Sequence, residues 1–127
     1  MKTTVDQFCI NVTDLERSVR FYETTLGLSV THRIEIPGVS EVVLSGPAGG
    51  RMQLARHHDR SGPIDHGNGL WKLYLATEDC AMLYERAVAG GAEPVSGPQH
   101  LEQWNVTVAF FKDPDGYLFE VVQHHAG

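Results

Sequence analysis

Glu120 stands between Phe119 and Val121, inside the apolar, β-prone run Tyr117 to Val122. A carboxylate there is costly to desolvate unless it meets a cation, a metal or a cavity, although on an edge strand it simply faces water. Both readings are open from the one residue. The histidines offer less. His57-His58, His66, His100 and His124-His125 fall in loops or near the end, and none has metal spacing on a regular element such as HExxH. Solvent-exposed imidazoles are the expectation, with His57 and His66, in a polar linker, the two placed to serve as nonstandard ligands or bases. Cys9 and Cys80 have no CxxC spacing and read as reduced, semi-buried thiols. No GxGxxG, P-loop or GxSxG is present, so nucleotide and serine-hydrolase chemistry has no support.

The element that must position Glu120 is a hairpin. Asp113-Pro114-Asp115-Gly116 is strong turn chemistry, with proline pre-setting φ and Gly116 accepting positive φ. Val106 to Phe111 before it and Tyr117 to Val122 after it are the expected strands. At the other end, Val5 to Val12 alternates as a strand, with Phe8, Ile10 and Val12 on one face and Gln7, Cys9 and Asn11 on the other. A helix follows, with Thr13 as N-cap and Glu16 completing a capping box. Leu15, Val19, Tyr22 and Leu26 form its stripe, and Gly27 ends it. Strands are expected over Leu28 to Ile36, Glu41 to Ser45 and Arg51 to Arg56.

The polar stretch His57 to Gly69 then reads as a linker, after which the pattern restarts. A strand spans Leu70 to Thr77, and Thr77 or Glu78 caps a helix running to about Ala89, which Gly90-Gly91 stops. A short strand near Glu93 to Val95, a loop with Gly97-Pro98 and the hairpin complete it. The order is β-α-β-β-β twice. The fold class is therefore α+β: two βαβββ modules forming a U-shaped eight-stranded mixed sheet around a cup, helices outside. Residues 1–127 make a single domain, with module one about 4–56, the linker 57–69 and module two about 70–123.

Composition agrees with a globular protein. The chain is 42% hydrophobic and 20% charged. A net charge of −6 disfavours nucleic acid and anionic membranes as partners. No signal-peptide core or membrane-spanning run is visible, and the expected location is cytoplasmic.

Two segments carry a family resemblance. They are Asn11-Val12-Thr13-Asp14-Leu15-Glu16-Arg17-Ser18-Val19-Arg20-Phe21-Tyr22 with Leu26-Gly27-Leu28, and Asp113-Pro114-Asp115-Gly116-Tyr117-Leu118-Phe119-Glu120. With the paired βαβββ order, the chain resembles the vicinal oxygen chelate superfamily: glyoxalase I, bleomycin-resistance proteins, methylmalonyl-CoA epimerase and extradiol dioxygenases. In its metal-dependent members four strands each offer one inward ligand, typically His, Glu or Gln, His, and Glu. Carried over, those positions fall on Gln7, Gln53, Lys72 and Glu120, with Trp71 one register away from the third. Both usual histidines are missing, and an ammonium has no lone pair. The resemblance thus implies no cofactor: the standard divalent metal site is expected to be absent.

On this reading Lys72 and Glu120 are the catalytic candidates. Lys72 supplies a fixed cation to polarise a carbonyl or hold an enolate oxygen, and Glu120 acts as base or orients it. The alternative for the two is a structural pair filling a dead site. Alternation adds Cys9 and Asn11 beside Gln7, and Tyr74 beside Lys72, as substrate-binding candidates with Gln7 and Gln53; Trp104 is placed as a lid or wall. The implied function is a metal-independent lyase or isomerase acting on a small carbonyl or hydroxylated compound. The second reading is a non-catalytic drug- or metabolite-binding protein of the bleomycin-resistance type, and ordinary glyoxalase I is disfavoured. A small-molecule ligand and a homodimer are the expected partners.

Overall fold

The computed structural model describes residues 1–127. The chain divides into two compact units, Met1–Ile64 and Asp65–Gly127. The first contains β1 (Gln7–Asn11), α1 (Leu15–Arg20), β2 (Ser29–Ile36), β3 (Val39–Ser45) and β4 (Arg51–His57). The second contains β5 (Leu73–Ala76), α2 (Cys80–Ala89), β6 (Glu93–Leu101), β7 (Val106–Lys112) and β8 (Leu118–His124). Each unit holds one four-stranded mixed sheet, ordered β1-β4-β3-β2 and β5-β8-β7-β6. The α+β organisation in two βαβββ modules is the one expected.

In both sheets the first and last strands of the module run parallel and the other neighbours antiparallel. A parallel pair cannot be joined by a tight turn, so the helix and two strands are spent on the crossover. One face of each sheet is apolar and buried. In the second unit Ala109, Phe111, Phe119 and Val121 share that face, with Phe111 and Phe119 stacked 5.4 Å apart. Helix α2 contributes Cys80 and Ala87, both fully buried, and the Cys80 thiol donates to the Val121 carbonyl. In the first unit Ile10, Leu44, Met52 and Leu54 are the buried set, joined by Val19, Phe21 and Tyr22.

Local differences from the expected elements have identifiable causes. The α1 cap is Asp14, whose side chain accepts from the Arg17 amide at 3.1 Å. Thr13 instead accepts from the Arg17 guanidinium. Glu16 does not close a capping box, because Arg33 holds both its oxygens at 3.0 and 3.1 Å. After Arg20 the helix widens into a π turn, Phe21–Thr25, which buries Phe21 and Thr25 in addition to the expected Tyr22. Helix α2 is likewise capped by Asp79, not by Thr77 or Glu78. Strand β6 runs through the expected loop at Gly97-Pro98, with two register shifts. It is an edge strand, so Pro94 and Pro98 interrupt no inner ladder. Strand β5 is shorter than expected and begins just after Lys72.

The turn before β8 is tied by Asp113, only 3% exposed. Its Oδ1 accepts from the amides of Asp115 and Tyr117, both at 2.9 Å. Gly116 takes φ +91°, and His66 lies against it, its Nε2 hydrogen-bonded to the Asp115 carbonyl at 2.8 Å. Asp113→Ala strands two amides and is expected to cost about 1–3 kcal/mol. Urea denaturation reads this as a lower midpoint at unchanged slope, and Asp113→Asn, which keeps an acceptor oxygen, should recover part of the loss.

Candidate functional site

Strand register places the candidate residues. In the first sheet Gln7 is paired with Arg51 and Cys9 with Gln53, so Gln53 lies one diagonal step from Gln7. Its Oε1 accepts from Gln7 Nε2 at 2.9 Å. In the second sheet Leu73 is paired with Phe119 and Tyr74 with Glu120, which puts Glu120 one diagonal step from Lys72. Lys72 Nζ makes an ion pair and hydrogen bond with Glu120 Oε1. The two modules thus carry equivalent side-chain pairs at the same place, an amide pair in one and an ion pair in the other. Lys72, rather than Trp71, takes the diagonal position.

The ion pair is recessed, with the Lys72 and Glu120 side chains only 12% and 13% exposed. Aromatic rings surround the ammonium: Trp71 at 4.1 Å, Tyr74 at 5.0 Å and Phe110 at 5.5 Å from ring centroid to Nζ. Tyr74, Glu120 and Phe110 lie in one row across β5, β8 and β7, on the face away from the Phe111–Phe119 core. Hydrogen bonding to Glu120, then to Tyr74, raises the Lys72 pKa above its ordinary 10.5. Lys72 is therefore a cation at neutral pH, suited to holding an oxygen and unsuited to acting as an amine nucleophile. Trp104 sits in the β6–β7 turn, exposed, and is not among the rings around Lys72.

The first unit adds groups that the sequence pattern did not single out. Asn11 Oδ1 and His57 Nε2 are hydrogen-bonded at 2.9 Å, one diagonal step along the same parallel pair. Glu41 is paired with Ala55, which is paired with Asn11, so it shares this face. It is half-buried and forms neither an ion pair nor a hydrogen bond. The signal that draws notice to Glu120, a carboxylate beside apolar strand residues, is equally present at Glu41-Val42-Val43. Cys9 is exposed, yet its thiol pKa is raised, first by desolvation and then by the Glu41 carboxylate. Both cysteines are reduced, and Cys80 is buried where semi-burial was expected.

The four positions marked by the resemblance hold two carboxamides, an ammonium and a carboxylate. Protonated Lys72 has no lone pair and the amides bond each other, so as placed these residues do not make up a divalent-metal ligand set. No group of three or more His, Cys, Asp or Glu side chains is arranged to hold a metal ion.

Two outcomes follow from this geometry. Glu41→Gln removes a negative charge beside Cys9, lowers its pKa and speeds alkylation by iodoacetamide at pH 8. An unchanged rate would mean that Glu41 does not act on the thiol. The raised Lys72 pKa makes the ion pair's stabilisation complete below pH 10.5 and lost as pH rises through the higher folded value. Thermal melts of the wild type should therefore fall more steeply above pH 10.5 than those of Lys72→Met.

Comparison with known proteins agrees with this architecture. The chain is 31% identical over 117 residues to a lactoylglutathione lyase of Arabidopsis thaliana, covering 88% of this chain and 41% of the relative. It thus spans about two fifths of that relative's length. A probable lactoylglutathione lyase of Synechocystis is 28% identical over 120 residues, covering 90% of both chains. The crystal structure of glyoxalase I from Zea mays superposes with a TM-score of 0.83 at 22% identity, over 94% of this chain and 44% of that one. A glyoxylase/bleomycin resistance protein/dioxygenase domain from Frankia sp. gives 0.84 at 23% identity, over 100% and 96%. These likenesses overturn the expectation of no cofactor, because glyoxalase I enzymes are typically metal-dependent. The mismatch at Lys72 concerns one set of positions and does not restore that expectation. The sequence pattern of the Glyoxalase/Bleomycin resistance protein/Dioxygenase superfamily matches residues 4–121, and the chain belongs to that superfamily.

Proposed function

We propose that this protein is an enzyme of lyase or isomerase type acting on a small carbonyl or hydroxylated compound, with Lys72 and Glu120 as its catalytic residues. The observation that carries the reading is the recessed Lys72–Glu120 pair beside exposed aromatic faces. Lys72 holds the carbonyl oxygen and stabilises the negative charge that develops on it. Glu120 takes the proton from the adjacent carbon and returns it at the neighbouring position. As substrate-binding residues the proposal takes Gln7, Gln53, Cys9 and Asn11 from the first sheet, Tyr74 beside Lys72 on the second, and the exposed Trp104. The family match across 4–121 supports treating both modules as one functional domain. A homodimer in the cytoplasm is part of this proposal. No helix is long and apolar enough to cross a membrane.

Chemistry of the lactoylglutathione lyase type heads the substrate panel, since that is the activity the relatives' names state. Oxygen binding and proton transfer are assigned to the chain's own side chains. The second reading is a binder without turnover, supported by the exposure of Trp71, Tyr74 and Trp104. Turnover of hemithioacetals and simple hydroxycarbonyls, assayed with added divalent cations and after chelation, separates the two. Glu120→Gln should lower kcat by roughly 10²–10⁴. Lys72→Met should lower kcat/KM by about 10²–10³. Unaltered kinetics in both, with folding retained, would remove this pair from the mechanism.

A further inference from the structure

We infer that His100 and His125 form a two-imidazole site for a divalent transition-metal ion, on the opposite face of the second sheet from Glu120. His100 is paired with Thr107, and Thr107 with Gln123. His125 lies just beyond β8. Its amide donates to the Asn105 carbonyl at 3.1 Å, and its own carbonyl accepts from Asn105 Nδ2 at 3.3 Å. The β7–β8 ladder thus continues by one step, and alternation puts His100, Thr107 and His125 on the face that carries Ala109, Phe111, Phe119 and Val121. Glu120, with Phe110 and Tyr74, faces the other way. The site is therefore independent of the catalytic reading.

Strands β6 and β8 flank β7, so the backbones carrying the two histidines stand about 10 Å apart. The rings nevertheless lean together over Thr107, their centroids 5.2 Å apart and their planes 62° from parallel. Two imidazoles on one tetrahedral zinc ion bring their ring centres to about 5 Å, so the pair already has the separation a shared ion needs. His125 Nε2 and Thr107 Oγ1 are hydrogen-bonded at 2.7 Å, while His125 Nδ1 and both nitrogens of His100 have no protein partner. A ligating imidazole commonly gives its other N–H to an oxygen that orients the ring. In the complex Thr107 Oγ1 takes that part, His125 Nδ1 ligates and His100 supplies the second nitrogen. Asn105, the one residue besides glycine at positive φ (+50°), ties the β6–β7 turn to the His125 backbone. Both imidazoles are exposed and open to an incoming ion, which the net charge of −6 attracts. The remaining coordination positions fall to water or to a donor from another molecule. His57 and His66 are instead held singly, by Asn11 and by the Asp115 carbonyl.

The test is a Zn²⁺ titration of the full chain near neutral pH, followed ring by ring through long-range ¹H–¹⁵N NMR of the imidazoles. His100 and His125 are expected to shift together with one shared Kd, at least about tenfold lower than that of His32, an exposed imidazole of β2. Mg²⁺ at the same concentration should shift neither, because imidazole suits zinc, copper and nickel rather than magnesium. His100→Asn and His125→Asn are exposed changes that should leave the melting temperature unaltered. Each is expected to weaken zinc binding at the remaining ring at least about tenfold, and Thr107→Val, which keeps the shape and loses the hydroxyl, by about tenfold. Separate Kd values for the two rings, a Kd no lower than that of His32, or either asparagine variant leaving the other ring's affinity intact would overturn the site. Thr107→Val binding zinc as tightly as wild type would remove the threonine from it.

Discussion

Parallel closure of each module on itself is the constraint on which the rest depends. The first strand lies beside the last, β1 against β4 and β5 against β8. That pairing joins segments far apart in the chain and aligns two side-chain rows at a fixed stagger. A residue on the first strand, or immediately ahead of it as Lys72 is, then meets the residue two beyond the position opposite it. Gln7 with Gln53, Asn11 with His57, and Lys72 with Glu120 are all instances of this one diagonal. Once the ladder forms, what changes between modules is the chemistry at a fixed geometric place.

The consequences of that change are electrostatic. An amide pair at this position is neutral: Gln7 keeps one N–H and its carbonyl oxygen, and Gln53 keeps both N–H groups and one lone pair. An ion pair at the same position carries strong local fields, and its partial burial costs desolvation that Coulomb attraction and surrounding rings must offset. Such a pair is weak evidence for stability. Its cost is easier to understand where the charges meet something other than each other. Glu41 makes the contrast plain: it occupies a comparable strand setting, yet no cation faces it. Its electrostatic effect falls on the Cys9 thiol, which it makes harder to ionise.

Where the sequence misleads, the cause is competition for a partner that local pattern cannot reveal. Thr13 and Glu16 match a capping box, but Arg33, distant in sequence, takes the glutamate, and Asp14 caps in place of Thr13. At the second helix Asp79 accepts from the Met82 amide, while Thr77 accepts from the amide of Asp79 itself. The prolines of β6 read as a loop because the sequence does not say which strand lies at an edge. Glu41 escapes notice although its pattern resembles that of Glu120. The expectation of no cofactor rests on two missing histidines, and family membership corrects it.

By itself the sequence determined the repeat of βαβββ units, the Asp-Pro-Asp-Gly turn and the superfamily, because these rest on periodicity, glycine placement and local turn chemistry. It also marked Glu120, since a charge in an apolar strand is visible without a structure. Only tertiary structure decided that Lys72 lies diagonal to Glu120, that three rings surround its ammonium, and that Asn11 meets His57 while Glu41 meets no cation. Strand register and side-chain direction decide those contacts, and both are fixed by pairing between segments far apart in the chain.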